Sequence, residues 1–166
     1  TLLHPGRRRV PLQVRTVHTL RPPRSLSNRW LLRRGAAHLI TVSSMLQGDL
    51  AARLRIASAR ISVIAGAVDS QRFHPGRSGA HIRRELGISA TTPLVGIVAR
   101  LAPSRGHLTL VEAFAQVHRA IPAARLLIVG KGEFRSNIER RIRELGLADV
   151  VVFGGYREDD IPEVLA

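Results

Sequence analysis

The sequence has no cysteine, which excludes disulfides, a thiolate nucleophile and any zinc site built on Cys. Its seven histidines are scattered, with no His-x-x-x-His pair and no clustered carboxylates, so no metal centre is expected. Four Phe, one Trp and one Tyr are the only aromatics, too dispersed to form a platform for stacking nucleic-acid bases. No apolar run approaches the ~20 residues that cross a bilayer, and Thr1–Arg9 does not read as a signal peptide. Ser43-Ser44 lacks the Gly-x-Ser-x-Gly elbow of a hydrolase. Acids are nearly missing from the first half. Through Arg84 there are 16 Arg against Asp49 and Asp69, whereas from Glu85 onward nine Arg plus Lys131 balance ten acids. The whole net charge of +14 therefore lies in the first half. An anionic partner (nucleic acid, acidic lipid or a phosphorylated substrate) is one reading. A GC-rich coding bias that replaces Lys by Arg fits most positions equally well. The asymmetry alone decides nothing.

What is present is a chain of 166 residues, 45% of them hydrophobic, enough to bury the core of one domain or pieces of two. It begins at Thr1, and Met45 is its only Met, so a piece of a longer protein is expected. Strand and helix patterns alternate. Leu12–Val17, His38–Val42 and Ile61–Ile64 read as strands; Leu26–Gly35 reads as a helix, and Ser43 and Ser44 as N-caps of a helix reaching about Leu54. A turn-rich stretch from Ala65 to Gly79 carries the breakers Pro75-Gly76 and Ser78-Gly79. Beyond it, a short helix over His81–Leu86 closes at Gly87. Leu94–Val98 reads as a strand buried on both faces, and Arg125–Val129 as another. Leu110, Ala113, Phe114, Val117 and Ile121 mark one face of a helix that stops at Pro122. Ile138, Ile142 and Leu145 mark the next helix, closing at Gly146; Val150–Phe153 is a third strand, and Asp160 opens a last helix. Strands separated by helices of this length predict an α/β fold with parallel, Rossmann-like sheets and helices on both faces.

In such sheets ligands sit beyond the carboxyl ends of the strands, where helix N-termini point. Ala99–Gly106, Gly130–Phe134 and Gly154–Asp159 are the loops so placed. Arg100 and Arg105 in the first suit a diphosphate, since guanidinium binds phosphate oxygens in a bidentate fork. A solvated Arg-containing loop is the plainer alternative, and in isolation the residues do not choose. Gly130-Lys131-Gly132 could admit a nucleotide close to backbone, but the dinucleotide fingerprint would need glycine at Arg135, so a tight strand-to-helix turn is the stronger reading. His18, at the end of the first strand, suits a cleft ligand or acid/base group, though such a His is more often a polar loop residue. Glu158-Asp159-Asp160 looks like a cation cluster but reads better as a negatively charged helix N-terminus.

Together these segments resemble glycosyltransferase family 4, retaining enzymes of the GT-B fold that use nucleotide-sugar donors. The family's "Ile-Pro-Asn-Gly-Val-Asp, three residues, Phe-x-Pro" is similar to Ile64-Ala65-Gly66-Ala67-Val68-Asp69 through Phe73-His74-Pro75. Its "Gly-Arg-Leu … Lys-Gly" is similar to Ala99-Arg100-Leu101 and Arg105-Gly106, followed in order by Glu112-Ala113-Phe114, Leu126–Gly132 and Val152-Phe153-Gly154. Upstream, Thr16-Val17-His18-Thr19 and Ile40-Thr41-Val42-Ser43 resemble the last strands of the family's N-terminal domain.

The resemblance implies an incomplete GT-B arrangement: residues 1–66 from the acceptor-side domain and 67–166 from the first half of the donor domain. It implies that Arg100 and Arg105 grip the donor diphosphate as catalytic residues, stabilising charge on the leaving nucleotide without a metal or cofactor. Gly130, Gly132 and Tyr156 would lie against the nucleoside, and His18 would face the donor sugar. The nucleotide-sugar, a glycan or lipid-linked acceptor and peripheral contact with the cytoplasmic face of a membrane are the implied partners; nucleic acid is not. Arg105 stands where the family has Lys, and Ala65-Gly66-Ala67 replaces Pro-Asn-Gly. The family's glycine-rich donor loop and its Glu-seven-residues-Glu motif are not in the chain, so these 166 residues alone are expected to be inactive. Uncovered apolar sheet edges are expected to favour aggregation. The competing readings are a non-catalytic basic module that binds nucleic acid or anionic membrane through the Arg-rich half, and another GT-B enzyme such as a sugar epimerase, which fits Arg100–Gly106 less well.

Overall fold

The structure is a computed structural model that describes residues 12–19 and 25–166; three of the first half's 16 Arg, Arg7, Arg8 and Arg9, lie outside the described residues together with Arg21 and Arg24. The chain divides into two compact units, residues 1–68 and 69–166.

The first unit holds a parallel three-stranded sheet in the order β1 (Val14–Val17), β2 (His38–Thr41), β3 (Ile61–Val63). The helical segment between β1 and β2 runs as α1 (Leu26–Trp30) and widens into a π-turn over Leu31–Gly35. The Arg60 guanidinium donates to the Arg33 and Ala36 carbonyls, satisfying acceptors that the helix end leaves open. α2 (Ser44–Leu54) starts as predicted: the Ser43 hydroxyl accepts from the Leu46 N–H at 3.2 Å. Leu46, Leu50 and Leu54, at helical spacing, bury against Leu39 and Ile61.

The second unit holds a parallel sheet in the order β4 (Leu94–Val98), β5 (Arg125–Val129), β6 (Val151–Gly155). β5 is central and alternates. Leu126 and Ile128 face a core shared with α4 (His107–Ala120) and α5 (Arg135–Glu144). Leu127 and Val129 line a cavity of about 250 Å³ on the opposite face, beneath α3 (Ala80–Glu85) and α6 (Ile161–Val164). Helices thus cover both faces of this sheet.

Two sequence expectations need correction here. β4 is an edge strand: Val98 is 38% exposed and Gly96 is open, so the face it turns toward α3 and α6 is only partly covered. α4 is rotated relative to the expected stripe. Its buried positions are His107, Val111 and Phe114, whereas Ala113, Val117 and Ile121 are exposed. The inward line begins on a histidine, which a count of apolar residues passes over. Among the described residues no helix is long and apolar enough to cross a membrane.

The rotation is measurable. Phe114→Ala, at a site 1% exposed, should cost about 3–5 kcal/mol of stability. Val117→Ala, on the outer face, should change it by less than about 0.5 kcal/mol. Urea denaturation of the two variants reads the contrast, and equal losses would put Val117 in the core.

Candidate functional site

The three strands of the second unit release three loops at one edge: 99–106 after β4, 130–134 after β5, and 156–160 after β6. The loops are stitched together through backbone. The Ala99 N–H donates to the Val129 carbonyl, Leu101 N–H to the Lys131 carbonyl (3.0 Å), Phe134 N–H to the Leu101 carbonyl (3.3 Å) and Gly130 N–H to the Gly155 carbonyl (2.7 Å). This approach is why glycine occupies 130 and 132. A Cβ at Gly130 would collide with the Ala99 carbonyl, and one at Gly132 with the Leu101 carbonyl. The two glycines therefore answer first to loop packing, the plainer of the two roles read from the sequence.

Leu101 and Ala102 are buried and anchor the first loop, which leaves the Arg100 side chain in the open. Arg105 closes a 3₁₀ turn over Pro103–Arg105; Gly106, at φ 75°, then turns the chain into α4, whose first turn has no side-chain cap. Arg100, Gly130 and Tyr156 line a concavity of about 280 Å³ together with Val98, Val129 and Lys131. Arg105 and Gly132 are not among its walls. His18 is exposed, one residue past the carboxyl end of β1 in the first unit.

The cations at this edge are of two kinds. Arg157 is committed internally. Its side chain is only 9% exposed, pairs with Glu85 and Asp160, and donates from Nε to the Gly154 carbonyl at 3.0 Å. Those hydrogen bonds, led by the one to Glu85, raise its pKa, while the same guanidinium holds the Glu85 carboxyl below the usual range. Arg72 adds a second strut, donating to the Glu158 and Asp159 carbonyls at 3.1 and 2.8 Å. Arg100, Arg105 and Lys131, by contrast, make no ion pair and no side-chain hydrogen bond among the described residues. Asp160 stands at the N-cap position of α6, as the acidic run suggested, but its carboxylate pairs with Arg157 and makes no side-chain cap bond, so the same residue serves the helix start and the clasp.

Three residues escaped the sequence reading. Lys131 reaches across the site, with Nζ 3.9 Å from the Tyr156 ring centroid, and its position between two loop-packing glycines was the only signal. Arg157 looked like one more arginine. His107, at the first position of α4, is 1% exposed with no hydrogen-bond partner for either ring nitrogen. Burial lowers its pKa, outweighing the upward pull of the nearby Ala102 carbonyl, and the positive end of the helix also disfavours a second proton. Within the described residues, no three His, Asp or Glu side chains cluster as a cation cage.

Comparison with known proteins gives consistent matches. Residues 80–166 match the family described as glycosyl transferases group 1, and residues 1–72 match glycosyltransferase family 4. A 2-deoxystreptamine glucosyltransferase of Streptomyces kanamyceticus is 34% identical over 140 residues, 82% of this chain and 36% of that protein. A GDP-mannose-dependent alpha-(1-6)-phosphatidylinositol monomannoside mannosyltransferase of Mycobacterium tuberculosis is 32% identical over 107 residues, 63% of this chain and 28% of its own length. The chain thus spans about a third of the length of these curated relatives. Among solved structures, Anabaena Alr3699/HepE in complex with UDP superposes with a TM-score of 0.76 at 26% identity, covering 93% of this chain and 44% of that one. The complex of that protein with UDP-glucose gives 0.73 at 27%, with the same coverage.

Two outcomes check this geometry. Gly132→Ala should destabilise by about 1–3 kcal/mol, the scale of strain at a forced backbone position, and should disturb the Leu101 and Phe134 amide signals before those of α3. His107 makes stability fall with acidity. Its folded pKa is depressed, so the unfolded chain takes up the proton first, and stability is lost as pH drops below the ordinary value of 6.5. His107→Leu should flatten that fall between pH 7 and 5; an unchanged slope would assign it to other groups.

Proposed function

The chain belongs to the glycosyl transferases of group 1, and on that footing we propose that it builds the diphosphate-binding face of a nucleotide-sugar site in a glycosyltransferase. The observation that carries this is the sorting of charge at the sheet edge. Arg157, though it lines the same concavity, is consumed by Glu85 and Asp160, while Arg100 and Lys131 on its walls, and Arg105 farther along the first loop, remain without internal ion pairs among the described residues. Positive charge held on a rigid backbone without internal neutralisation suits a ligand that brings negative charge. The UDP and UDP-glucose in the structures of Anabaena HepE support a nucleoside diphosphate as that ligand.

In this reading Arg100 and Arg105 hold the diphosphate, and they stabilise the negative charge that grows on it as the sugar–phosphate bond breaks. Guanidinium forks do so without a metal or cofactor. Gly130 lets the second loop lie flat against the ligand, Gly132 keeps that loop docked on Leu101, and Tyr156 offers a ring to the nucleoside. His18 contributes from the first unit as a group that contacts the donor sugar. The acceptor is a hydroxyl on a glycan or lipid-linked sugar, in line with the phosphatidylinositol mannoside named for the mycobacterial relative. Transfer with retention at the anomeric carbon, at the cytoplasmic face of a membrane and in peripheral contact with it, completes the proposal.

Titration calorimetry of the chain with UDP and GDP tests the site. Arg100→Ala should weaken binding by roughly 10-fold or more, the scale of a charge-assisted hydrogen bond. Arg105→Ala should do likewise, whereas Arg105→Lys should stay within about threefold, because a point charge still meets phosphate. Rising salt should weaken wild-type binding steeply and the double Ala variant distinctly less. Binding that ignores both substitutions would refute this assignment.

A further inference from the structure

The chain has one lysine and one tyrosine, and they touch: Lys131 Nζ lies 3.9 Å from the centroid of the Tyr156 ring. Both are mounted on fixed backbone. Lys131 lies between Gly130 and Gly132, and its own carbonyl accepts from the Leu101 N–H. Tyr156 lies between Gly155, which accepts from the Gly130 N–H, and the clasped Arg157. Only the side chains have freedom. The Tyr156 ring is 55% exposed, and its hydroxyl makes one long contact, at 3.4 Å, with Glu158. The ammonium therefore covers one of the two faces that this exposed ring offers to a flat partner.

Resting on the nucleoside-diphosphate reading above, the geometry points to Lys131 as an exchanging cover for the base subsite. A cation lying on an exposed aromatic face is held weakly, whereas an ammonium beside a diphosphate makes a charge-assisted contact. Lys131 and Arg100 line the same concavity, so a diphosphate held by Arg100 lies within the sweep of a four-carbon stem. Its arrival draws the ammonium off the ring, and the uncovered face then receives the base. Recognition of phosphate and stacking of the base become one coupled event. A nucleoside without phosphates must displace the cation unaided, and inorganic diphosphate should uncover the ring with no base present.

The single copy of each residue makes the test direct. Chain labelled with carbon-13 at the lysine ε-carbon and the tyrosine ring gives one signal of each kind. With inorganic diphosphate or UDP, the Lys131 ε-protons should lose the upfield displacement imposed by the ring, and the Tyr156 signal should move with the same dissociation constant. Uridine alone should move Tyr156 only at far higher concentration. Lys131→Met should weaken UDP by roughly 10-fold while leaving uridine unchanged or improved, thereby narrowing the gap between them; Lys131→Arg should restore most of the UDP affinity. If UDP binds in an Arg100-dependent way but the Lys131 signal stays in place at saturation, the exchange is overturned and the diphosphate site stands. If UDP binding does not depend on Arg100, the site reading itself fails. A Lys131→Met variant with wild-type UDP affinity would also overturn the exchange.

Discussion

The docking of the loop after β5 onto the loop after β4 is the constraint on which the rest of this site depends. Four backbone hydrogen bonds join three successive loops, and they form only because nothing projects from the α-carbons of Gly130 and Gly132 toward the Ala99 and Leu101 carbonyls. Leu101, between them, is part of the hydrophobic core. Apolar burial thus fixes Leu101, Leu101 fixes Gly132 and Phe134, and the residues just before Leu101 and Gly132 are turned outward. Arg100 and Lys131 are exposed for that reason. Their positions follow from the packing beneath them, without any ion pair or side-chain hydrogen bond of their own among the described residues.

A second layer of control is electrostatic. Ten acids and ten bases share the region from Glu85 onward, and their pairing is selective. Arg141 is bound to Glu112 and Glu144, Arg135 to Glu139, and Arg157 to Glu85 and Asp160. Exposed pairs of this kind add little stability singly. Their effect is to withdraw particular arginines from other duties, while Arg100, Arg105 and Lys131 at the sheet's carboxyl edge stay outside the ion pairs found among the described residues. The Arg157 clasp has a geometric role as well, because it ties the loop carrying Tyr156 to α3 and to the end of β6.

Much of the architecture was legible in advance because it rests on local chemistry. The strand over Arg125–Val129, the Ser43 cap, and the left-handed glycines at 87 and 146 were set by periodicity, a hydroxyl and backbone freedom. The failures were tertiary. How fully the second face of Leu94–Val98 is covered depends on its place at the sheet's edge, which no run of apolar residues encodes. The rotation of α4 turned on His107, whose burial without partners offends the usual rule for polar groups. The site divided in the same way: Arg100 and Tyr156 stood out through motif and chemistry. Lys131 needed the folded loops to bring it across to the ring, and Arg157 needed Glu85, 72 residues earlier, to show that its charge is already engaged.

The central position of β5 has a consequence for motion. Its side chains are buried on both faces and both of its edges are hydrogen-bonded, so its amides exchange with solvent only when the unit as a whole opens. The strand ends at Val129, and Gly130 and Lys131 follow at once. The most slowly breathing part of the unit thus runs directly into the loop that carries its sole amine, while the fraying elements, short α3 and α6, lie on the far side of the sheet from α4 and α5. Breathing of the outer helices can therefore proceed while the loop that carries the pocket's charge stays in register.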